Sequence, residues 1–382
     1  MSVKSWMCGC LLALMAARCG AQRPVKPATL PAAAELHLRS ELIFAPGSAS
    51  FQQCHASTVV ELKNGDLLAA WFGGEHEGAA DVAIWTARYS KGSWSAPVET
   101  AREKGVPLWN PVLFHTLDGR LWLYYKAGPN PGTWSGVRSF SSDEGRTWSA
   151  PERMPAGLIG PVRAKPLVMT DGTIVAGASV EAYKTWAAWV ERSVDGGATW
   201  KSIGPIDVTE EQDKAETPAP EPAADSQNMA GLGPEWHTPR EFLGIIQPSV
   251  VSLGGSRLRL YARSRTLAAK IVVADSTDAG RSWGPTHFLD VPNNNSGLDA
   301  LGLRDGRVVL LCNNVSRGRS PLTLLISSDG EHFRPFATLE QGPGEFSYPA
   351  LIQRRDGDLE MTYTWKRESI KHVHVPLQDV PR

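Results

Sequence analysis

The stretch Thr58-Val59-Val60-Glu61-Leu62-Lys63-Asn64-Gly65-Asp66-Leu67-Leu68-Ala69-Ala70-Trp71 reads as two short apolar strands joined by a tight turn. Asn-Gly favours a two-residue hairpin turn because both residues tolerate positive φ. The arrangement recurs at Leu117-Asp118-Gly119-Arg120, Thr170-Asp171-Gly172-Thr173, Leu253-Gly254-Gly255-Ser256, Arg304-Asp305-Gly306-Arg307 and Arg355-Asp356-Gly357-Asp358. The turn centres step by 54, 53, 83, 51 and 51 residues. Six turns at a period of about 50 residues, between short strands, predict an all-β fold: a six-bladed β-propeller of four-stranded sheets.

A second repeat runs in phase with the first. Ser-x-Asp-x-Gly-x-x-Trp occurs at Ser141–Trp148, Ser193–Trp200 and Ser276–Trp283. Degenerate copies are Gly92-Ser93-Trp94 and Ser327-Ser328-Asp329-Gly330, the latter with Phe333 in the Trp place. The Asp accepts from backbone N–H groups ahead of it, the Gly supplies positive φ, and the Trp caps the sheet edge. These Asp-box turns read as structural staples on the outer turns, away from any chemistry.

The chain has 382 residues with 36 Gly and 28 Pro, enough for a large core with the Gly and Pro spent on turns. A net charge of −1 gives no basic footprint for nucleic acid. Residues 1–21 read as a secretory signal peptide: a basic start at Lys4, an apolar run from Trp6 to Ala17, and small residues before a cut after Ala21. The run is too short to span a membrane, so the expected location is secreted or periplasmic. Residues 22–37 read as a linker and 38–382 as the propeller. An acidic, Pro-rich insertion at 208–236 explains the long step and reads as a solvated loop. Cys54 and Cys312 are the cysteines left after the signal, and either two buried thiols or one disulfide fits.

The last repeat supplies strands at Tyr348–Gln353, Leu359–Trp365 and Ile370–Val375, with no fourth. Ser40–Phe44 precedes the first repeat as an orphan strand. Pairing it with the last blade closes the ring and leaves no open edge.

In a propeller, the inner strand of each blade lines a central channel, and here that is the strand before each turn. Its opening residues include His55, Asn110, Lys165, Gln247, Asp299 and Tyr348. Proline follows directly at Pro111, Pro166, Pro248 and Pro349. Polar groups at equivalent places of every repeat converge on one axis. No phosphate loop, Cys cluster or dinucleotide fingerprint is present, so no cofactor and no metal are expected.

On these Asp boxes and inner strands the chain, over about residues 40–375, resembles the sialidase (neuraminidase) superfamily, most closely its bacterial Asp-box (BNR) repeat members. The resemblance implies a six-bladed propeller with three arginines against a substrate carboxylate, an Asp acid, and a Tyr nucleophile paired with a Glu. It places Tyr348 at the nucleophile and Asp81 at the acid. It places Arg263 at the second arginine and Arg317 or Arg319 at the third. The first arginine position holds His55, and the Glu position holds Gln247. Glu345 is no substitute for that Glu: three residues along a strand from Tyr348, it falls about 10 Å away on the opposite face.

The catalytic candidates are therefore Tyr348, His55 and Asp81. The substrate-binding candidates are Arg263, Arg317, Lys165, Gln247, Asn110 and Asp299. The implied activity is sialidase-like hydrolysis of a terminal acidic sugar from an oligosaccharide or polysaccharide. A uronate lyase using His55 and Tyr348 as acid and base is the alternative. A propeller that binds carbohydrate without turning it over is a third.

Overall fold

Five of the six turns are built the same way, and only partly as expected. At the first, Leu62 N donates to Asp66 O at 2.8 Å and Gly65 N to Leu62 O at 3.0 Å. Gly65, Gly119, Gly172, Gly306 and Gly357 have φ between 82 and 106°, while the Asn or Asp before each stays right-handed. One left-handed glycine closing a type I turn makes a three-residue hairpin with a bulge, so the glycine alone carries the positive φ. Only Gly254-Gly255 places two consecutive left-handed residues in such a turn.

The computed structural model describes residues 37–182, 185–217 and 243–382. The expected signal peptide 1–21, nearly all of the linker and most of the insertion lie outside the described residues. The regular structure within the described residues is nearly all strand, in five sheets that divide into six mostly antiparallel units of four strands, the third and fourth being joined into one eight-stranded sheet by a parallel pair between Trp186 and Gly244. Unit one holds Gln53–Glu61, Leu67–Gly74, Ala83–Ser90 and an outer strand split into Ser93–Trp94 and Val98–Ala101. Unit two holds Leu108–His115, Leu121–Ala127, Ser135–Ser141 and Glu152–Arg153. Unit three holds Leu167–Val168, Ile174–Ala182, Thr185–Ser193 and Lys201–Ile206. Unit four holds Gly244–Ser252, Leu258–Arg265, Lys270–Ser276 and His287–Pro292. Unit five holds Asp299–Gly302, Val308–Cys312, Leu322–Ser327 and Arg334–Glu340.

Unit six holds Phe346–Gln353, Leu359–Trp365 and Ser369–Val375, and its fourth strand is Arg39–Leu42. Arg39 lies opposite His374 and Leu42 opposite Lys371. The orphan strand at the front thus fills the gap at the back. Phe44 continues past it to stack on Trp71 at 5.3 Å, in unit one.

The core lies between neighbouring units, because each strand alternates its apolar side chains onto the two faces of its sheet. Val60, Leu68, Phe72 and Ile84 of unit one pack on Leu108, Leu113 and Leu123 of unit two. Leu311 and Leu324 of unit five pack on Leu351, Met361 and Val373 of unit six. The Asp boxes hold the outer turns as expected. Ser141 Oγ donates to Asp143 Oδ1 at 2.7 Å, and Thr147 N donates to the same oxygen at 2.9 Å. The degenerate copy at Ser327 and Asp329 makes the same bond at 2.8 Å.

The insertion does not begin as a solvated loop. Glu210–Glu216 is a helix, capped by Thr209 and Gln212 in a reciprocal box. Its Asp213 is buried and accepts from Leu267 N and Ala268 N, each at 2.8 Å. Cys54 and Cys312 are both buried and unpaired with each other. No helix among the described residues is long and apolar enough to cross a membrane.

Candidate functional site

Four inner strands break register at the same place: between His55 and Thr58, Trp109 and Val112, Ile246 and Ser249, and Ser347 and Ala350. Each break holds one left-handed residue: Ala56 at φ 56°, Asn110 at 42°, Gln247 at 54° and Tyr348 at 52°. A left-handed non-glycine residue costs about 1–3 kcal/mol, and such strain clusters at functional sites. The bulge takes these side chains out of the strand's simple alternation. It also corrects the equivalence drawn from sequence. In unit one the counterpart of Tyr348 is Ala56, and His55 matches Ser347, Ile246 and Trp109.

Tyr348 is the centre of the constellation. Its hydroxyl accepts from Arg263 Nη1 at 2.6 Å. The Arg163, Arg263 and Arg319 guanidinium carbons lie 5.7, 5.6 and 5.4 Å from its ring centre. The His55 ring packs beside it at 4.2 Å between centroids. Arg263 is 1 % exposed and also lies 5.3 Å over the Trp186 ring. Three guanidinium groups around one phenol make a strongly cationic cluster, of a kind suited to an anionic ligand.

Gln247 and Glu181 extend this centre. Gln247 Oε1 accepts from Arg263 Nη1 at 3.1 Å, and its Nε2 donates to Glu181 Oε1 at 3.4 Å. Ser179 Oγ donates to the same carboxylate oxygen at 2.9 Å. Burial pushes the Glu181 carboxyl up, opposed by Arg263, Ser179 and Gln247. The unit-four position thus carries an amide, and a carboxylate from unit three stands behind it.

His55 is 2 % exposed. Burial, with Arg367, Arg319 and Arg263 around it, holds its pKa well below the usual histidine value. The ring is neutral, and its Nδ1 meets Thr364 Oγ1 at 2.8 Å. Glu345 Oε1 lies 3.9 Å from the same nitrogen. Glu345, just ahead of Phe346–Gln353, therefore joins the cluster through His55 and Arg319. Glu345 pairs with Arg319 and, at 2.8 Å, with Arg367 Nε. Burial alone pushes its carboxyl up, but the Arg319 and Arg367 guanidinium groups overcome this and hold it well below the carboxylate range.

The remaining candidates divide. Arg317 is exposed, whereas Arg319 is 5 % exposed and faces Tyr348. The two sit on either side of Gly318 at φ 75°, and that left-handed step separates their directions. Asn110 is buried at its bulge. Lys165 Nζ lies 3.6 Å from Asp299 Oδ2. Asp299 also accepts from Ser249 Oγ and Leu351 N, both at 2.9 Å, so it ties three units together. Asp81 is exposed on the loop after Gly74, and its carboxylate accepts from Glu75 N at 3.0 and 3.1 Å. Among the described residues no cluster of His, Cys, Asp and Glu is arranged to hold a metal.

Glu181, Arg163, Glu345 and Arg367 are the residues that sequence reasoning passed over or set aside. Arg163, beside Lys165, and Glu345, ahead of Tyr348, carried a positional signal as inner-strand openings. The others arrive through contacts between units that no local pattern announces.

The BNR repeat-like domain model matches residues 65–361. A sialidase of Micromonospora viridifaciens is 31 % identical over 131 residues, which are 32 % of this chain and 20 % of that protein. The match thus spans about a fifth of that relative's length. The fold is similar to that of the Hadza microbial sialidase Hz136, with a TM-score of 0.69 at 16 % identity over 90 % of this chain and 69 % of that one. It is also similar to the NanB sialidase of Streptococcus pneumoniae, with a TM-score of 0.66 at 12 % identity over 89 % of this chain and 71 % of that one. Six repeated units, Asp-box staples and a fold shared with sialidases agree with the sequence match: the chain belongs to the BNR repeat-like domain family.

Proposed function

We propose that the six units close into a six-bladed β-propeller and that the protein is a carbohydrate-active enzyme cleaving a terminal acidic sugar from a glycan. The observation that carries this reading is the 2.6 Å bond from Arg263 to the Tyr348 hydroxyl, with Arg319 against the same ring. Arg263 and Arg319 take the substrate carboxylate. Tyr348 attacks the anomeric carbon, and the glycosidic C–O bond breaks as Asp81 gives its proton to the leaving oxygen. Water then attacks the tyrosyl intermediate and releases the sugar. A tyrosine suits an anomeric carbon that already bears a carboxylate, because an anionic side chain would be repelled. The phenolic proton passes to His55, whose ring packs on Tyr348; the burial and arginines that hold His55 neutral also make it a weak base, so the step draws on the charge stabilisation that Arg263 gives the tyrosyl oxygen. We read residues 1–21 as a secretory signal, so that the enzyme works outside the cytoplasm. Amino-terminal sequencing of the mature protein tests that.

The same His55–Tyr348 pair favours a second reading. A uronate held by Arg263 and Arg319 has an acidified C5 proton, which a neutral His55 removes while Tyr348 protonates the leaving oxygen. Incubation with aryl sialosides and with uronate oligosaccharides separates the two. Hydrolysis releases the sugar or the aryl alcohol with no new ultraviolet absorbance. Elimination creates a conjugated double bond and therefore absorbance. Binding with neither product overturns both.

A further inference from the structure

We propose that Arg367 is a positioning residue that straps the loop carrying Asp81 to the strand carrying Tyr348 and so fixes the mouth of the site. This rests on the reading of Tyr348 and Asp81 given above.

One arginine reaches three parts of the site. Its Nη1 donates to Glu77 Oε2 at 2.6 Å, on the loop that ends in Asp81. Its Nε donates to Glu345 Oε2 at 2.8 Å, just ahead of Phe346–Gln353, and Glu345 in turn holds Arg319 against Tyr348. Its backbone O accepts from Cys54 N at 2.9 Å, beside His55. A guanidinium can span two carboxylates in one plane, which a lysine ammonium cannot do with the same geometry. The pair with Glu345 is largely buried and so shielded from salt, whereas the pair with Glu77 lies at the surface.

The turn that presents it points the same way. In Trp365-Lys366-Arg367-Glu368, Lys366 and Arg367 are left-handed at φ 54° and 59°, and Glu368 N closes the turn on Trp365 O at 3.0 Å. Asn-Gly is the natural choice for two such positions. This chain instead accepts backbone strain to place an arginine side chain there. Without the strap, the loop is tied down by contacts of its own: Glu75 N on Asp81, Ala79 N on His76 O at 3.0 Å, and Val82 N on Ala79 O at 3.0 Å. Arg102 Nη1, donating to Asp81 O at 2.8 Å, and Leu108 N, donating to Val82 O at 3.1 Å, hold the Asp81 end of the loop, and the pair with Arg367 ties its Glu77 end to the strand of Tyr348.

The test is hydrogen exchange on the full chain, compared between wild type, Glu77→Gln, Arg367→Ala, the double variant and Arg367→Lys. Exchange at the amides of Glu75, Ala79 and Val82 is expected to quicken about tenfold in Glu77→Gln and in Arg367→Ala, with no further gain in the double variant. Protection of Phe346–Gln353 stays at the wild-type level in Glu77→Gln. Arg367→Lys keeps the melting temperature close to wild type yet leaves the loop amides fast. On any substrate the wild type turns over, Glu77→Gln lowers kcat with KM within about twofold, because the acid rather than the carboxylate clamp is displaced. Unchanged loop exchange in both single variants, or additive effects in the double, overturns the strap. The exchange arm needs no substrate, so it decides the strap even if neither aryl sialosides nor uronates are turned over.

Discussion

Arg263 and Tyr348, 85 residues apart in the chain, share a 2.6 Å hydrogen bond between units four and six. The arginine stands on the second strand of unit four, Leu258–Arg265, and meets the phenol at the bulge where Tyr348 departs from the alternation of its own strand. That bond joins the guanidinium proposed to bind a substrate carboxylate to the oxygen proposed to react.

The first prediction removes that oxygen. Tyr348→Phe keeps the ring packed on His55 and among the three arginines, so the fold survives with a cost of about 1–2 kcal/mol for the orphaned Arg263 donor. Turnover on the true substrate should fall by about three orders of magnitude or more. Undiminished turnover in a steady-state assay would take Tyr348 out of the mechanism.

Lys126 gives a pH test of stability. It is fully buried, donates to Pro161 O at 2.7 Å, and its pKa is pushed down to about 7 by burial, against the opposing pull of Glu191 and Glu181. Below pH 7 the lysine is charged in both folded and unfolded chains, and the burial penalty is fully felt. Between pH 7 and the ordinary lysine value near 10.5 only the unfolded chain keeps the proton, so this group makes stability rise with pH. Lys126→Met removes that term. The melting temperature of wild type relative to Lys126→Met should therefore climb from pH 7 to pH 10; a constant gap would show that the lysine does not titrate there.

Gly177 tests the contact between units three and four. A Cβ built on Gly177 would stand 1.9 Å from Pro248 O, next to Gln247. The obstacle is backbone, so Gly177→Ala must push the two units apart. A loss of about 3 kcal/mol or more is expected in chemical denaturation. A midpoint within error of wild type would mean that the units are not packed this closely.

Removal of the first described strand tests ring closure. Truncation through Phe44 deletes the partner of Ser369–Val375 and takes Phe44 from its stack on Trp71. It leaves an open sheet edge and a cavity worth about 3–5 kcal/mol for the phenylalanine alone. The melting temperature should drop by roughly 5 °C or more, and an unchanged value would show that the strand contributes nothing to closure.

The six hairpins, the Asp boxes, the last unit's three strands and the pairing of the front strand with the back were legible in the sequence. Turn chemistry and the two-residue alternation of strands are local, so a single glycine or a run of apolar residues suffices to announce them. Tyr348, His55 and Gln247 were legible because repetition marks inner-strand openings, and Arg263 through the family resemblance. The site's finer arrangement was not. Strand parity set Glu345 aside, yet it lies just ahead of Phe346–Gln353 and joins the cluster through His55 and Arg319. Arg317 and Arg319 look alike in sequence, and only the turn at Gly318 sends one of them inward. Glu181, Arg163 and Arg367 owe their roles to neighbours 66 to 290 residues away. The sequence by itself determined the repeating unit, because each unit is encoded by nearest-neighbour backbone preferences. Tertiary structure alone decided which charges meet at the centre, because that depends on how six separately encoded sheets pack and on burial that no single repeat contains.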